Sequence, residues 1–150
     1  MIAGMPRRLR DDDGSILPLT VFFGVLALAV VLVVVAATSL YLERERLYTL
    51  ADGAALAGAE SFDLDDVVVD GTAPKPRLTS TEVRSAAEQY LASAASDGFD
   101  ALAIEAARSP DGSSASVRLA AIWHPPMLSL FVPDGIRLRA TSVARSVFLP

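Results

Sequence analysis

The chain has 150 residues, of which 52% are hydrophobic, and it carries a net charge of −5. This acidic balance argues against direct binding of nucleic acid, because such binding needs concentrated positive charge to displace counterions from the phosphates. The sequence has no cysteine, which excludes disulfides, thiol catalysis and cysteine-ligated metals.

The first predicted element is a long apolar helix. No charged residue lies between Ser15 and Leu42, a stretch of 28 residues. A bilayer core needs roughly 20 apolar residues of helix, and a helix of this length extends over about 42 Å. A cleaved secretory signal is the alternative, but its apolar region spans only about 7–15 residues. We therefore predict an uncleaved transmembrane helix over residues 15–42, in contact with membrane lipid.

The charges on either side of this helix predict its orientation. Residues 1–14 form a short leader with three arginines, whereas the charges of residues 43–46 balance one another. Short cytoplasmic segments are enriched in Lys and Arg. We therefore expect a single-pass protein of the cytoplasmic membrane, with the leader inside and residues 43–150 outside.

The helical pattern continues beyond the apolar stretch. No proline or strong cap interrupts the chain between Tyr41 and Ala59, and small or apolar residues recur there at helical spacing. We predict one continuous helix, with residues 43–60 as its extension; a separate amphipathic helix packed on its own domain is the alternative. Small residues let backbones approach closely, so this face is expected to pack against another helix or a sheet. The face comprises Leu47, Leu50, Ala51, Ala54, Ala55 and Gly58.

Residues 61–78 are predicted to form an irregular connector. Acidic side chains at Asp63, Asp65 and Asp66 raise the question of a calcium site. A calcium loop needs alternating oxygen ligands and a distal bidentate glutamate, and valines stand where ligands would be required. We therefore predict no metal site.

Residues 79–150 are predicted to form a small domain with one helix and an antiparallel sheet, which makes the fold class α+β. Thr79 and Glu82 have the spacing of a capping box, and the apolar pattern after them predicts a helix of about 15 residues ending at Gly98. Three runs with alternating apolar residues then predict antiparallel strands with one solvated face. These runs are 101–108, 115–123 and 136–147.

No arrangement of residues predicts catalysis. The sequence lacks the nucleophile-elbow, zinc-protease, Walker and dinucleotide-binding motifs, and its lone histidine, His124, is interpreted as structural. Arg137, Arg139 and Arg145 share one strand face and could pair with an acidic partner, but we favour a solvated face that discourages edge-to-edge aggregation. We expect a non-enzymatic protein with no cofactor and no small-molecule substrate.

Three features carry a resemblance to a known family. Gly14-Ser15 joins the basic leader to the apolar helix, residues 46–59 read RLYTLADGAALAGA, and residues 125–131 lead into a strand-like pattern at 135–145. The middle segment resembles the R-x-L-Q-x-A-A-D-A-A-A-L-A-G-A signature of the TadE/TadG-like pilus-assembly proteins of the tight-adherence (Tad, or Flp) system.

The resemblance implies a pilin-like fold and a minor-pilin-like structural subunit of a bacterial pilus or secretion machine, with other pilus subunits as partners. In TadE-type members a peptidase cuts after a glycine, and the fifth mature residue is a glutamate. Gly14 and Ser15 occupy the cut position here, but the fifth residue would be Leu19. We therefore favour the TadG-like branch, retained in the membrane, over a processed pilin incorporated in a surface pilus.

A membrane-anchored exported module that binds or senses a ligand is the alternative function. It would use the sheet and the apolar Pro125–Gly135 loop, which is expected to lie against another surface. Such a module should keep its ligand affinity when residues 1–60 are deleted. An assembly subunit should instead co-purify with pilus components, and Ala55→Leu should disrupt that contact.

Overall fold

The structure is a computed structural model, and it describes residues 16–62, 68–70, 73–75, 77–94, 98–125 and 133–145. It has the predicted α+β architecture, with a long N-terminal apolar helix, one further helix and a small antiparallel sheet of three strands. The chain divides into two compact units, Met1–Ala37 and Thr38–Pro150, and the first helix contributes to both. The elements in chain order are α1 (Ile16–Ala59), β1 (Val68–Asp70), β2 (Ala73–Lys75), α2 (Ser80–Ser93), β3 (Asp100–Arg108), β4 (Ser114–Trp123) and β5 (Ile136–Arg145).

Helix α1 is continuous from Ile16 to Ala59, as predicted. Its apolar half is rich in valine, which slightly lowers helix propensity in water, but a helix satisfies all of its own backbone hydrogen bonds where water is absent. Threonine hydroxyls bond to carbonyls one turn earlier, Thr20 to Ile16 at 2.9 Å and Thr49 to Glu45 at 3.0 Å. The apolar half and the amphipathic half therefore form one element.

Helix α2 begins with the predicted capping box. The Glu82 N–H donates to Thr79 Oγ1 at 3.3 Å, and the Thr79 N–H donates to Glu82 Oε2 at 2.9 Å. The predicted end near Gly98 is wrong, because the helix ends at Ser93 and Ala94 is extended. The Tyr90 carbonyl accepts from both the Ala94 N–H and the Ser93 hydroxyl, and the extended backbone of Ala94 ends the helix.

Strands β3, β4 and β5 form the predicted antiparallel sheet, with β4 in the centre. The strands begin and end within two residues of the predicted bounds; positions 146–147 of the last run lie outside the described residues. On β4, Val117 and Leu119 are buried and Arg118 between them is exposed, so one sheet face covers the core. We call this the inner face and the opposite one the outer face.

The predicted irregular connector contains a short hairpin that sequence analysis missed. Strands β1 and β2 pair antiparallel, with Val69 opposite Pro74. A proline is tolerated where a strand lies at a sheet edge, and both members of a two-stranded pair are edges. Asp63, Asp65 and Asp66, considered for calcium, lie outside the described residues, as does most of the Pro125–Gly135 loop.

The hydrophobic core lies in the second unit, between the inner face of the sheet and the two helices. Helix α2 is tied to the β3–β4 turn, because the Ser109 N–H donates to the Ser80 hydroxyl at 3.1 Å and the Leu78 N–H donates to the Gly112 carbonyl at 2.8 Å. The core residues that are buried are Leu47, Leu50, Ala51, Ala54, Ala55, Ala59, Leu78, Val83, Ala87, Ala115, Val117, Leu119, Ala121 and Ala140.

Candidate functional site

The apolar half of α1 is exposed. All residues from Ile16 to Val31 are exposed, and the most apolar window of the helix contains no buried residue. By length and composition this helix is able to cross a membrane. Soluble monomers rarely expose continuous apolar patches larger than a few hundred Å², so a surface of this extent suits lipid or other apolar helices.

The small-residue face of α1 lies inside the chain's own core. Its six members are buried, and they share the core with side chains of α2 and of the sheet. The helix or sheet against which this face was expected to pack is therefore present in the same chain. The face is therefore not accessible to a second subunit. Its members are Leu47, Leu50, Ala51, Ala54, Ala55 and Gly58.

Two glycines determine how closely α2 and the sheet approach α1. A Cβ at Gly58 would lie 3.0 Å from Val83 Cγ1 and 3.2 Å from Ala115 Cβ, so a larger residue there must displace a neighbour. A Cβ at Gly53 would overlap the ring and hydroxyl of Tyr90. Gly53 precedes Gly58 on α1 while Tyr90 follows Val83 on α2, so the two helices run antiparallel.

Strand β4 runs along α1 in the opposite direction. At one end Ala115 lies against Gly58, and at the other the Trp123 indole N–H donates to the Ser39 hydroxyl at 3.2 Å. From Ala115 to Trp123 the strand extends about 26 Å, and from Ser39 to Gly58 the helix extends about 28 Å. The lengths agree, so the Trp123 end of the sheet lies beside the last turn of the uncharged segment.

The outer face of the sheet carries arginines around one glutamate. Arg139 Nε donates to both carboxylate oxygens of Glu105, at 2.9 and 3.0 Å, and Arg137 lies 3.7 Å from the same carboxylate. Arg139 is on β5 and Glu105 is on β3, and the small Ala120 on β4 leaves room for the contact between them. A register shift between Ile104 and Ala106 places Glu105 at a bulge, a feature that re-aims side chains.

The arginines therefore have acidic partners in the same chain, while the face that carries them is solvated, as sequence analysis favoured. Arg145, further along β5, pairs with Asp111 at 3.3 Å. The side chains of Arg139 and Arg145 are nonetheless more than half exposed, and exposed pairs of this kind contribute only about 0.2–1 kcal/mol each. Their main effect is to fix which way the arginines point.

Asp111 organises the predicted turn between β3 and β4. Its carboxylate accepts from the Ser113 and Ser114 N–H groups at 3.0 and 2.7 Å, from the Ser114 hydroxyl at 2.9 Å and from Arg145. These hydrogen bonds, that of the Ser113 N–H first among them, hold the pKa of Asp111 well below its ordinary 3.8.

Among the described residues, a histidine–aspartate pair and a small cavity lie at the sheet. His124 Nδ1 lies 3.1 Å from Asp100 Oδ2 at the exposed end of β4. A cavity of about 70 Å³ beside Ala103 and Arg137 is far below the roughly 300–1,000 Å³ of small-molecule sites. In the part of the chain that the structure describes, no group of three His, Asp or Glu side chains could hold a metal ion.

Sequence reasoning missed the contacts that join α1 to its surroundings. The proposed leader junction, Gly14 and Ser15, lies outside the described residues. The Trp123–Ser39 hydrogen bond was not foreseen, although Trp123 is the only tryptophan and Ser39 is a polar residue near the end of the apolar segment. The closeness of Tyr90 to Gly53 was not predicted either.

Comparison with known proteins bears on this same helix. Residues 14–61 match the model of the family described as "Putative Flp pilus-assembly TadE/G-like", and the match ends two residues after α1. No curated protein and no solved structure matched the chain. The family match supports a role in pilus assembly in general, and together with the long apolar helix it fits membrane anchoring.

Proposed function

We propose that the chain is a non-enzymatic, minor-pilin-like structural subunit of a Tad/Flp-type pilus or secretion assembly, anchored in the cytoplasmic membrane. The observation that carries the proposal is that the family match, residues 14–61, coincides with α1. This helix combines an exposed apolar half, suited to lipid and to neighbouring subunits, with a small-residue face that holds the domain.

The contacts with other subunits are assigned to the exposed half of α1. The small-residue face is covered by the chain's own sheet and α2, so it is not free for a second subunit. Ala55→Leu, which sequence analysis offered as a disruption of subunit contact, would instead overpack the domain's own core. The exposed apolar residues between Ile16 and Val31 have no such cover.

Photo-crosslinking in native membranes tests this assignment. A photoreactive amino acid is placed at Phe22, Leu28 or Val33 on α1, and at Thr81, an exposed residue of α2, as the control. At least one helix position should form adducts with pilus-assembly subunits, and Thr81 should not. If cells that assemble pili give no protein adduct from any helix position, subunit contact through α1 is wrong.

We also propose that the chain is retained in the membrane as a TadG-like protein, with the leader in the cytoplasm. The support is that Leu19 stands where a processed pilin of the TadE type has its glutamate. N-terminal sequencing of the protein from its native membrane tests this. A start at or near Met1 agrees with retention, whereas a start at Ser15 would show a processed pilin.

The alternative of an exported binding module needs a different test from the one the sequence suggested. Deleting residues 1–60 would remove the α1 part of the core, from Leu47 to Ala59, so loss of ligand binding would report unfolding. A binding module would instead give specific crosslinks from the outer face of the sheet and none from the apolar half of α1.

A further inference from the structure

At the Trp123 end of the sheet, apolar residues of the inner face become exposed. Along β5, Ala140 is 1% exposed, Leu138 is partly buried and Ile136 is 44% exposed. Ile136 pairs with Trp123 across the strands, so it lies at the very end of the sheet. The domain therefore leaves an apolar surface uncovered at this end.

Helix α1 also has exposed apolar residues near the point where Trp123 contacts it. The Trp123 indole bonds to Ser39, and two and three residues further along α1 Tyr41 and Leu42 are 66% and 53% exposed. The uncharged segment extends over about 42 Å of helix, whereas the hydrocarbon core of a bilayer is about 30 Å thick. The segment is therefore longer than the core, and Tyr41 at its C-terminal end suits the interfacial region, where Trp and Tyr are enriched.

We propose that the Trp123 end of the domain rests on the bilayer, with Ile136, Tyr41 and Leu42 each in contact with lipid at the level of the headgroups and upper acyl chains. Lipid is the occupant because Tyr41 and Leu42 end the uncharged segment that is proposed to cross the bilayer, and Ile136 lies at the end of the sheet that contacts Ser39. This inference rests on the membrane anchoring proposed above.

The contact is apolar rather than electrostatic. The charged side chains at this end have both signs, with Asp100, Asp134 and Arg137 all exposed. Such a surface has no excess of positive charge to attract anionic headgroups. Contact with lipid should therefore be equally strong in zwitterionic bilayers and in bilayers that contain anionic lipid.

Fluorescence quenching in the full-length protein tests the proposal. The chain has no cysteine, so Ile136→Cys introduces a unique site for an environment-sensitive fluorophore in protein reconstituted into vesicles. Val143→Cys is the matched control, because Val143 is a 63% exposed residue of the same strand near its other end. Val31→Cys on α1 reports whether the helix itself is in the bilayer. Far-UV circular dichroism establishes that each labelled variant is folded.

The expected result is several-fold stronger quenching of the Ile136→Cys label by nitroxide lipids than of the Val143→Cys label, and the reverse order with aqueous iodide. If the Ile136→Cys and Val143→Cys labels are quenched equally while the Val31→Cys label is quenched by lipid, the proposed lipid contact of the domain is wrong. The proposed membrane anchoring is not affected by that result. Protection from both quenchers would show a protein surface instead of lipid. Quenching that requires anionic lipid would also overturn the apolar contact. If the Val31→Cys label is not quenched by lipid, the proposed anchoring fails, and this inference fails with it.

Discussion

Gly58 shows how a single missing side chain determines the packing of this domain. The backbone of α1 lies against Val83 of α2 and Ala115 of β4 at this point, with no space for a Cβ at ordinary contact distance. Close approach of this kind is what small residues on a helix face permit. The face was recognisable in the sequence because leucine, alanine and glycine recur there at helical spacing.

Gly58→Leu is expected to destabilise the protein by about 1–3 kcal/mol, since it inserts a side chain into a filled space. Gly24→Leu is the matched control, because no atom of the chain lies within 4 Å of a Cβ at Gly24. Chemical unfolding of the full-length protein in detergent micelles, followed by circular dichroism, measures both. Equal stabilities of the two variants would contradict the close packing at Gly58.

Asp111 makes stability depend on pH in a defined direction. Its pKa is lowered in the folded protein, so its contribution is fully present above the ordinary value of 3.8 and is lost as the pH falls below it. Asp111→Asn should therefore lower the melting temperature at neutral pH, and the difference from the unmodified protein should shrink below pH 3.8. Asp134→Asn, at an exposed turn position, is the control. A difference that grows on acidification would refute this role of Asp111.

At the scale of elements, the start of α2 depends on one capping residue. Thr79→Ala removes the hydroxyl that accepts the Glu82 N–H, and loss of such a cap costs about 0.5–2 kcal/mol. Thr81→Ala is the control, because Thr81 is an exposed threonine inside the same helix. Unfolding of both variants in micelles should show destabilisation for Thr79→Ala only. If both variants unfold like the unmodified protein, the capping box contributes nothing measurable.

The elements that could be predicted from the sequence are those that depend on residues close to one another along the chain. The capping box started α2, alternating apolar residues outlined β3, β4 and β5, and the absence of a breaker predicted a continuous α1. The early end of α2 and the β1–β2 hairpin were not predicted. The early end of α2 depends on the extended backbone of Ala94, and the hairpin depends on a proline that is tolerated in an edge strand. Neither can be predicted from the spacing of apolar residues.

The residues of the candidate site could be predicted from the sequence, but the residues of the same chain that they contact could not. Sequence patterns identify the small-residue face and the arginine-bearing strand face. They do not show that the face packs in the chain's own core, or that Glu105 reaches Arg139 across β4. The second contact depends on a bulge and on the small Ala120 between them, which only the assembled sheet reveals.

At the scale of the whole molecule, α1 is part of the domain as well as the candidate anchor. Residues from Leu47 to Ala59 supply one wall of the core, and Trp123 bonds to Ser39 further down the same helix. We expect residues 38–150, which form one compact unit, to fold when expressed alone, and residues 61–150 not to fold. Cooperative thermal unfolding of the shorter fragment would show that α1 is dispensable for the core.

The most direct test of the account is the location of the two ends of α1 in cells. Val143→Cys in the domain and Ala3→Cys in the leader are each treated with a membrane-impermeant maleimide in intact spheroplasts and again after lysis. We predict that Val143→Cys is labelled in intact spheroplasts, that Ala3→Cys is labelled only after lysis, and that the protein stays in the membrane pellet after an alkaline wash. A protein found in the soluble fraction, or labelling of Ala3→Cys from outside, would contradict an α1 that crosses the membrane with the domain outside.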